Sequence, residues 1–467
     1  MTRLVFVVYL SWFSSMGFLN SQSQWGDYRY EKLFKGRGLY INREIENVIP
    51  NKTIVGSDEY WIFEKKLAKE QIKVMIKNGI DGVIYDMLPM TKFNEKLFDP
   101  DKIETHPFEN FKLFGIWLDA AKEVSSNFKI CPMLDVMQKS AENPQGEIPS
   151  ADKWIELITV LLKVYASHPN FFKIDEKPCL LHFGTTRPLG GRSEEVTGGW
   201  GYVINSLKRK NMKLYFVSDF RPKEEANLAR WLSISDGLQV FAPGAPLGFG
   251  LNYQKGLAKD VEQAGKDYWW GISRGYYSKK WRVYLPPNFT RLNDLWMAAA
   301  HSAVKYAEVI TWNDLFENTD IWPSLYNGDS LVKINKFYSY VFKHGKIPSD
   351  FTDTIVLAFP SHINKEILLH VPYWGPRWGM EKTDNNMCYY WSFNRGHEKK
   401  IEVEGVGRVD LPSGLSFGTV GKIKNPGGYN VSVKRGDEIL DKIKTKSINY
   451  SNGEAEDMSY FYIDISR

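Results

Sequence analysis

The strongest constraint on the fold is an alternation of short β-like runs with longer helical runs, which extends from about residue 36 to residue 345. Such alternation is typical of parallel strands joined by crossover helices. Several of the runs end directly in polar or ionisable residues, which favours a (β/α)8 TIM barrel with its chemistry at the carboxyl ends of the strands. An open doubly wound sheet is disfavoured because no glycine-rich phosphate loop follows the first strand.

The pattern predicts about eight strands, with helices between them. Helices near 64–78, 111–124 and 152–167 place apolar residues on one face, and Gly79 is suited to end the first in a left-handed conformation. The strand candidates are Gly38–Ile41, Gly82–Tyr85, Phe128–Leu134, Pro178–Leu181, Leu214–Val217, Gly237–Phe241, Tyr268–Trp270 and Tyr306–Trp312.

The pattern changes after Pro348, where short alternating runs are separated by turn residues. This predicts a C-terminal antiparallel β-sandwich over residues 349–467, after a catalytic barrel over residues 23–348. We expect the sandwich to buttress the barrel. The alternative is a glycan-binding surface that uses three aromatic residues, Tyr373, Trp374 and Trp378.

The N-terminus has the pattern of a secretory signal peptide over residues 1–22. Arg3 gives a positive start, Leu4–Leu19 is mostly apolar, and small polar residues follow. The run is short for a membrane span. We therefore expect a secreted or periplasmic protein with no stable membrane insertion after signal cleavage, and an uncleaved anchor is the alternative.

Composition narrows the class of ligand. Aromatic residues make up 15% of the chain, with 16 Trp and 25 Tyr, and such rings stack on the apolar faces of sugars. The net charge of +5 is spread along the chain, so nucleic-acid binding is not expected. Without an H-E-x-x-H motif or a Cys/His cluster, we expect no metal and no cofactor. We expect a monomer, with Cys131 and Cys179 as buried thiols unless their strands are neighbours and form a disulfide.

The segment Thr311–Asn318 follows the last predicted barrel strand and places Asp314 and Glu317 three residues apart. Glycosidic bond cleavage needs one carboxylic acid for the leaving oxygen and a second carboxylate as base or nucleophile. Asp314 and Glu317 are therefore the catalytic candidates, although each alone could be a loop cap. A stacking ring and an amide for sugar hydroxyls precede them: Trp312 and Asn313.

Polar residues at or near other strand ends complete the predicted substrate site. Short carboxylates there can bind sugar hydroxyls in pairs, and an arginine can keep a catalytic carboxylate ionised. Each could instead be a loop cap, an ion pair or a buried histidine. These substrate-binding candidates are Asp86, Asp135, His182, Asp219, Arg274 and Tyr276.

Four segments resemble those of glycoside hydrolase family 71, the α-1,3-glucanases or mutanases, and of the related family 99. Glu308–Glu317 (EVITWNDLFE) resembles the W-N-D-x-G-E segment of family 71 and the N-E-x-x-E segment of family 99. Asn78–Ile84 (NGIDGVI) is similar to the group's G-I-D-G-F, and Met133–Val136 (MLDV) to its S-F-D-M. His168–Pro178 (HPNFFKIDEKP) is similar to H-P-x-Y-x-x-x-x-G-K-P. The segments occur in the family's order across the barrel.

The resemblance implies an exported hydrolase of α-linked glycans, with α-1,3-glucan as the first choice and inversion of configuration. It places the catalytic pair at Asp314 and Glu317. Phe316 stands where the family usually has glycine, so the glycan that this protein accepts is left open. The alternatives are a family 99-like endo-α-mannanase and a non-catalytic glycan-binding barrel. Endo or exo action, inversion or retention, and the acid and base assignments also stay open.

Overall fold

The structure of the protein is a computed structural model. The structure describes residues 2–10, 58–87, 109–135, 150–184, 197–220, 227–241, 247–278, 283–285, 287–314, 317–324, 327–363, 386–396, 398–450 and 460–465.

Eight parallel strands close into a barrel, as predicted. The barrel strands are β1 (Leu4–Leu10), β2 (Gly82–Met87), β3 (Lys129–Asp135), β5 (Lys177–Phe183), β6 (Tyr215–Asp219), β7 (Gly237–Gln239), β8 (Asp267–Ile272) and β11 (Tyr306–Val309). Hydrogen-bonded neighbours follow that order, and β11 pairs with β1 to close the ring. β4 (Lys173–Ile174) adds an antiparallel hairpin to β5, and β9 (Tyr276–Ser278) pairs with β10 (Val283–Leu285) after β8.

Helices connect the barrel strands. They are α1 (Asp58–Lys77), α2 (Glu109–Val124), α3 (Ala151–Tyr165), α4 (Trp200–Arg209), α5 (Leu228–Ile234), α6 (Leu247–Gln263), α7 (Phe289–Ala300) and α8 (Ser330–His344). α1 ends at Lys77, and Gly79 stops it two residues later with a left-handed φ of 80°, which glycine adopts without strain, as its position predicts. α3 begins at Ser150, whose hydroxyl accepts a hydrogen bond from the Lys153 backbone N–H at 3.3 Å.

The first barrel strand differs from the prediction. Leu4–Leu10, interpreted above as part of a signal peptide, forms β1 and pairs with both β2 and β11. Val5 to Leu10 are buried, so removal of residues 1–22 would open the barrel at its core. The predicted signal peptide therefore conflicts with the structure: an apolar run of this length suits a buried parallel strand equally well. The predicted first strand Gly38–Ile41 lies outside the described residues, and export stays a prediction.

Residues of the barrel wall alternate between its inner and outer faces. The rings of Phe6 in β1, Trp269 in β8 and Phe172 before β5 meet inside the barrel, with centroids 4.8 to 6.1 Å apart. Glu308 is in register with Phe6 and with Gly271, so it also faces inward. This parity decides which polar residues at the strand ends can reach a substrate in the mouth of the barrel.

The C-terminal strands form two four-stranded antiparallel sheets, as predicted for a sandwich. Within the described residues, one sheet has the order β17-β14-β12-β21 and the other β16-β15-β18-β19, and β13 pairs with β20. The strands are β12 (Thr354–Pro360), β13 (His362–Ile363), β14 (Met387–Asn394), β15 (Lys399–Val403), β16 (Gly407–Leu411), β17 (Gly414–Lys422), β18 (Asn430–Arg435), β19 (Glu438–Lys444), β20 (Asn449–Tyr450) and β21 (Tyr460–Asp464).

The first sheet of the sandwich is buried on both faces. Along β12, Ile355 and Leu357 belong to the core between the two sheets. Val356 and Ala358 belong to the core shared with the barrel. Trp391 of β14 donates a hydrogen bond from Nε1 to the Tyr338 hydroxyl of α8 at 3.2 Å. Barrel and sandwich therefore share a continuous apolar interface, which fits the predicted buttressing role. The alternative binding aromatics, Tyr373, Trp374 and Trp378, lie outside the described residues.

Cys131 and Cys179 lie on the neighbouring strands β3 and β5. Both are buried free thiols, so the disulfide that the sequence allowed between them is not formed. In the part of the chain that the structure describes, no helix is long and apolar enough to cross a membrane.

Candidate active site

The segment that follows β11 forms a loop closed at its base. Thr311 and Thr319 pair through their hydroxyls at 2.9 Å, and the Thr311 N–H donates to the Thr319 carbonyl at 3.1 Å. The Ile321 N–H donates back to the Thr311 carbonyl at 3.1 Å. These bonds hold Asp314 and Glu317 at the carboxyl end of the barrel, as predicted. We call residues 311–321 the catalytic loop because they carry the two candidate catalytic residues, and of these positions Leu315 and Phe316 lie outside the described residues.

Trp312 and Asn313 anchor the catalytic loop to the barrel. Trp312 is fully buried, and its Nε1 donates to Gln71 Oε1 of α1 at 2.8 Å. The Asn313 amide makes both of its bonds to the backbone of Leu10: Oδ1 accepts from the N–H at 2.8 Å, and Nδ2 donates to the carbonyl at 3.0 Å. The sequence predicted that both side chains contact a sugar. The structure instead buries them, and their ring and amide bind partners inside the fold. Leu10 is also the end of β1, so the catalytic loop depends on that strand.

Asp314 and Glu317 are joined to each other and to the segment after β8. Asp314 Oδ1 accepts a hydrogen bond from the Glu317 backbone N–H at 3.0 Å, and Glu317 Oε1 accepts one from the Tyr276 hydroxyl at 2.9 Å. Asp314 is almost buried, whereas Glu317 is partly exposed. Tyr276 therefore contacts a catalytic candidate directly, in addition to any contact with substrate. Two carboxyl groups held by fixed partners at a barrel mouth can provide an acid and a base.

Arg274 holds the base of the catalytic loop rather than its carboxyl pair. Its Nη2 donates to the Asp320 carbonyl at 2.7 Å and lies 3.5 Å from Asp320 Oδ1. Its Nη1 donates to the hydroxyl of Tyr462, a sandwich residue, at 2.7 Å. The sequence predicted Arg274 as a contact for substrate or for a catalytic carboxylate. The structure shows a buried guanidinium occupied by structural partners.

Three predicted substrate-binding carboxylates lie on the inner face of the barrel. Asp86 of β2 and Asp135 of β3 are almost buried at the carboxyl ends of neighbouring strands, and their register gives them the inward parity. Asp219 of β6 faces inward as well, but its oxygens accept from the backbone N–H groups of Gly184 at 3.1 Å and Phe241 at 3.3 Å. Asp219 thus ties together the segments that follow β5 and β7.

His182 lies on the outer face of the barrel wall. Its ring contacts Trp200 of α4 at a centroid distance of 4.2 Å and stacks against Trp231 of α5 at 6.2 Å. The side chain is fully buried between β5 and these helices. The structure therefore separates His182 from the other predicted site residues, because adjacent residues of a strand face opposite sides.

Glu308 is an inner-face carboxyl group that the sequence analysis did not select. It is fully buried in β11, beside Gly271, and neither carboxyl oxygen has a hydrogen-bond partner among the described residues. Burial, with a smaller contribution from the charge of Asp219, raises the pKa of Glu308 well above its ordinary value. Burial therefore favours the protonated form of this carboxyl group. The alternation Tyr306, Glu308, Ile310 is the sequence signal that could have identified it.

Within the described residues, no group of three or more His, Cys, Asp or Glu side chains could hold a metal ion.

No protein-family model matches the chain, and no curated protein matches it. Among solved structures, the family 99 endo-α-mannosidase of Bacteroides thetaiotaomicron is 14% identical and has a TM-score of 0.49, covering 74% of this chain and 98% of its own. A second structure of that enzyme, in complex with bis-tris-propane, is 13% identical, with a TM-score of 0.49 and coverage of 73% and 97%. The β-glucuronidase of Bacteroides uniformis is 8% identical, with a TM-score of 0.43 and coverage of 83% and 44%. Likeness at this level says nothing about the activity of this chain.

Proposed function

We propose that the protein is a glycoside hydrolase that cleaves α-linked glycans with Asp314 and Glu317 as its acid and base. The observation that supports this most is the paired geometry of the catalytic loop. Asp314 orients the Glu317 backbone at 3.0 Å, and Tyr276 orients the Glu317 carboxyl at 2.9 Å. General acid–base catalysis needs such fixed positions before it needs a matched pKa.

The inner face of the barrel gives the sugar its binding groups. Asp86 and Asp135 stand at the ends of adjacent strands, where two carboxylates can accept hydrogen bonds from neighbouring hydroxyls of one sugar ring. The catalytic loop supplies the acid that protonates the leaving oxygen and the carboxylate that acts on water or on the anomeric carbon. This division of labour follows from the positions of the strand ends.

α-1,3-Glucan is the first choice of substrate, with inversion of configuration. Its support is the W-N-D-x-x-E segment and its order relative to the other family-like segments. An α-mannan is the second candidate, because the same segment also resembles the N-E-x-x-E pattern, with Asp314 in place of the first glutamate. Both candidates use the same pair of carboxyl groups and differ in the sugar that the inner face accepts.

The test compares the wild-type protein with Asp314→Asn and Glu317→Gln on α-1,3-glucan, α-mannan and a β-glucan. We expect the rate of reducing-end release to fall by about 10²- to 10⁴-fold in each variant, because each variant lacks one proton-transfer group. NMR of the first products reports linkage and anomeric configuration together. Thermal midpoints should stay close to the wild-type value.

The matched controls are Asp437→Asn and Glu438→Gln, which make the same changes at exposed positions of the sandwich. They should leave reducing-end release unchanged. Wild-type activity in Asp314→Asn and Glu317→Gln would refute the proposed pair. Oligosaccharide binding by a wild-type protein that releases no reducing ends would instead establish a glycan-binding barrel.

A further inference from the structure

The segment after β8 contacts the catalytic loop at two points. Arg274 binds the Asp320 carbonyl at the base of the loop, and Tyr276 binds the Glu317 carboxyl nearer its tip. These two residues are separated by Gly275 alone, whose carbonyl accepts a hydrogen bond from the Ser273 hydroxyl at 2.9 Å. A displacement of Arg274 would therefore move both contacts together.

Asp320 is fixed from its other side as well. Its Oδ2 accepts a hydrogen bond from Asn327 Nδ2 at 2.7 Å, and the same amide nitrogen donates to the Trp322 carbonyl at 3.1 Å. The part of the loop that follows Glu317 is thus held between Asn327 and Arg274. The Arg274 guanidinium therefore fixes the position of Asp320 from one side.

The guanidinium of Arg274 is itself positioned by the sandwich. Tyr462 of β21 accepts a hydrogen bond from Nη1 at 2.7 Å, and its ring lies under the guanidinium at 5.1 Å from the centroid. Tyr462 is in register with Ala358 in the buried sheet and packs edge-on against Phe289 of α7 at 6.5 Å. Arg274 and Tyr462 are both almost fully buried, so the contact between them is protected from water and from screening by salt.

We propose that the sandwich positions the catalytic loop through Tyr462, which holds Arg274 and thereby both Asp320 and Glu317. Tyr462 is a positioning residue, because it is buried and acts through Arg274. The sandwich then does more than cover apolar surface, because one of its hydroxyls aligns the catalytic carboxyl group. The effect on turnover rests on the proposed hydrolase function, whereas the effect on the loop does not.

The experiment uses the full-length protein and the variant Tyr462→Phe, which removes the hydroxyl and keeps the ring. Tyr338→Phe is the matched control, because the Tyr338 hydroxyl also joins barrel and sandwich but contacts Trp391, away from the catalytic loop. Amide hydrogen exchange of residues 311–322 is measured first, and kcat and KM on the hydrolysed glycan second. We expect faster exchange of the loop in Tyr462→Phe alone.

We also expect kcat of Tyr462→Phe to fall about tenfold with KM within about twofold, since Glu317 is misplaced while the inner face is intact. Tyr338→Phe should keep the wild-type kcat even where its thermal midpoint falls as far. Equal loop exchange in the two variants would overturn the proposal. A wild-type protein that hydrolyses no glycan would refute the hydrolase function, and the exchange data would still decide the role of Tyr462.

Discussion

The inner and outer faces of the barrel wall carry similar polar residues at the ends of the strands, but they differ in what those residues can do. Asp135 ends β3 on the inner face, where it can meet a substrate. Its register partner in the next strand is Phe183, and His182, one residue before Phe183, is enclosed by the tryptophans of two helices. One residue of sequence separates the two environments. The comparison shows that parity within the strand, more than chemical type, decides which polar side chains can serve catalysis.

Between the two faces, the largest expected effect is on the inner face. Asp135→Asn should lower kcat/KM by about 10²-fold, because a buried site built to bind a hydroxyl loses its charged acceptor. Steady-state kinetics on the hydrolysed glycan measures this.

The control for Asp135→Asn is Asp267→Asn. Asp267 lies at the opposite, amino end of the barrel, where it pairs with Lys305 at 2.7 Å. It should change stability and leave kcat/KM near wild type, since the amino end of a barrel serves stability. An equal loss in both variants would mean that the two ends of the inner face do not differ.

The second effect concerns the pH dependence of stability. The folded-state pKa of Glu308 is raised above its ordinary value of 4.5, so the folded protein favours the protonated carboxyl group more than the unfolded chain does. The contribution of Glu308 to the free energy of unfolding is fully present below its unfolded-state pKa. It is lost by about 1.4 kcal/mol per pH unit as pH rises from there toward the folded-state pKa. Glu308→Gln does not titrate. Its free energy of unfolding should therefore gain on the wild type as pH rises above about 4.5.

Thermal unfolding of both proteins from acid to neutral pH measures this difference. Glu438→Gln, at an exposed position of the sandwich, is the control and should follow the wild type at every pH. A difference between Glu308→Gln and the wild type that does not vary with pH would show that folding does not raise the pKa of Glu308.

The smallest effect on activity is expected on the outer face. His182→Leu should change kcat/KM by less than about twofold, because its ring contacts helices rather than the mouth of the barrel. Loss of its aromatic contacts should lower the thermal midpoint by a few degrees. A large loss of kcat/KM at an unchanged thermal midpoint would place His182 in the site and contradict the parity rule.

Much of the fold follows from local pattern. The strands that begin near Gly82, Tyr268 and Tyr306 were predictable because buried parallel strands are short apolar runs between amphipathic helices. The first strand was not, since Leu4–Leu10 has the composition shared by a buried strand and a signal peptide. Only its pairing with β2 and β11 distinguishes the two.

The candidate site was predictable in part. Asp314 and Glu317 fall where their spacing and the strand before them predict. Trp312 and Asn313 have the right chemistry for sugar binding, but their partners, Gln71 and Leu10, are distant in sequence and use that chemistry inside the fold. Arg274 is the same case, because Asp320 and Tyr462 come next to it only after the barrel and the sandwich have packed.

The sequence by itself determined the barrel, the sandwich and the carboxyl pair, because periodicity and spacing are local properties that survive in an isolated segment. The tertiary structure decided which polar residues face the inside of the barrel and which hold the loop in place. Those roles depend on strand parity, register and partners hundreds of residues away, and Glu308 is buried only once the barrel has closed around it.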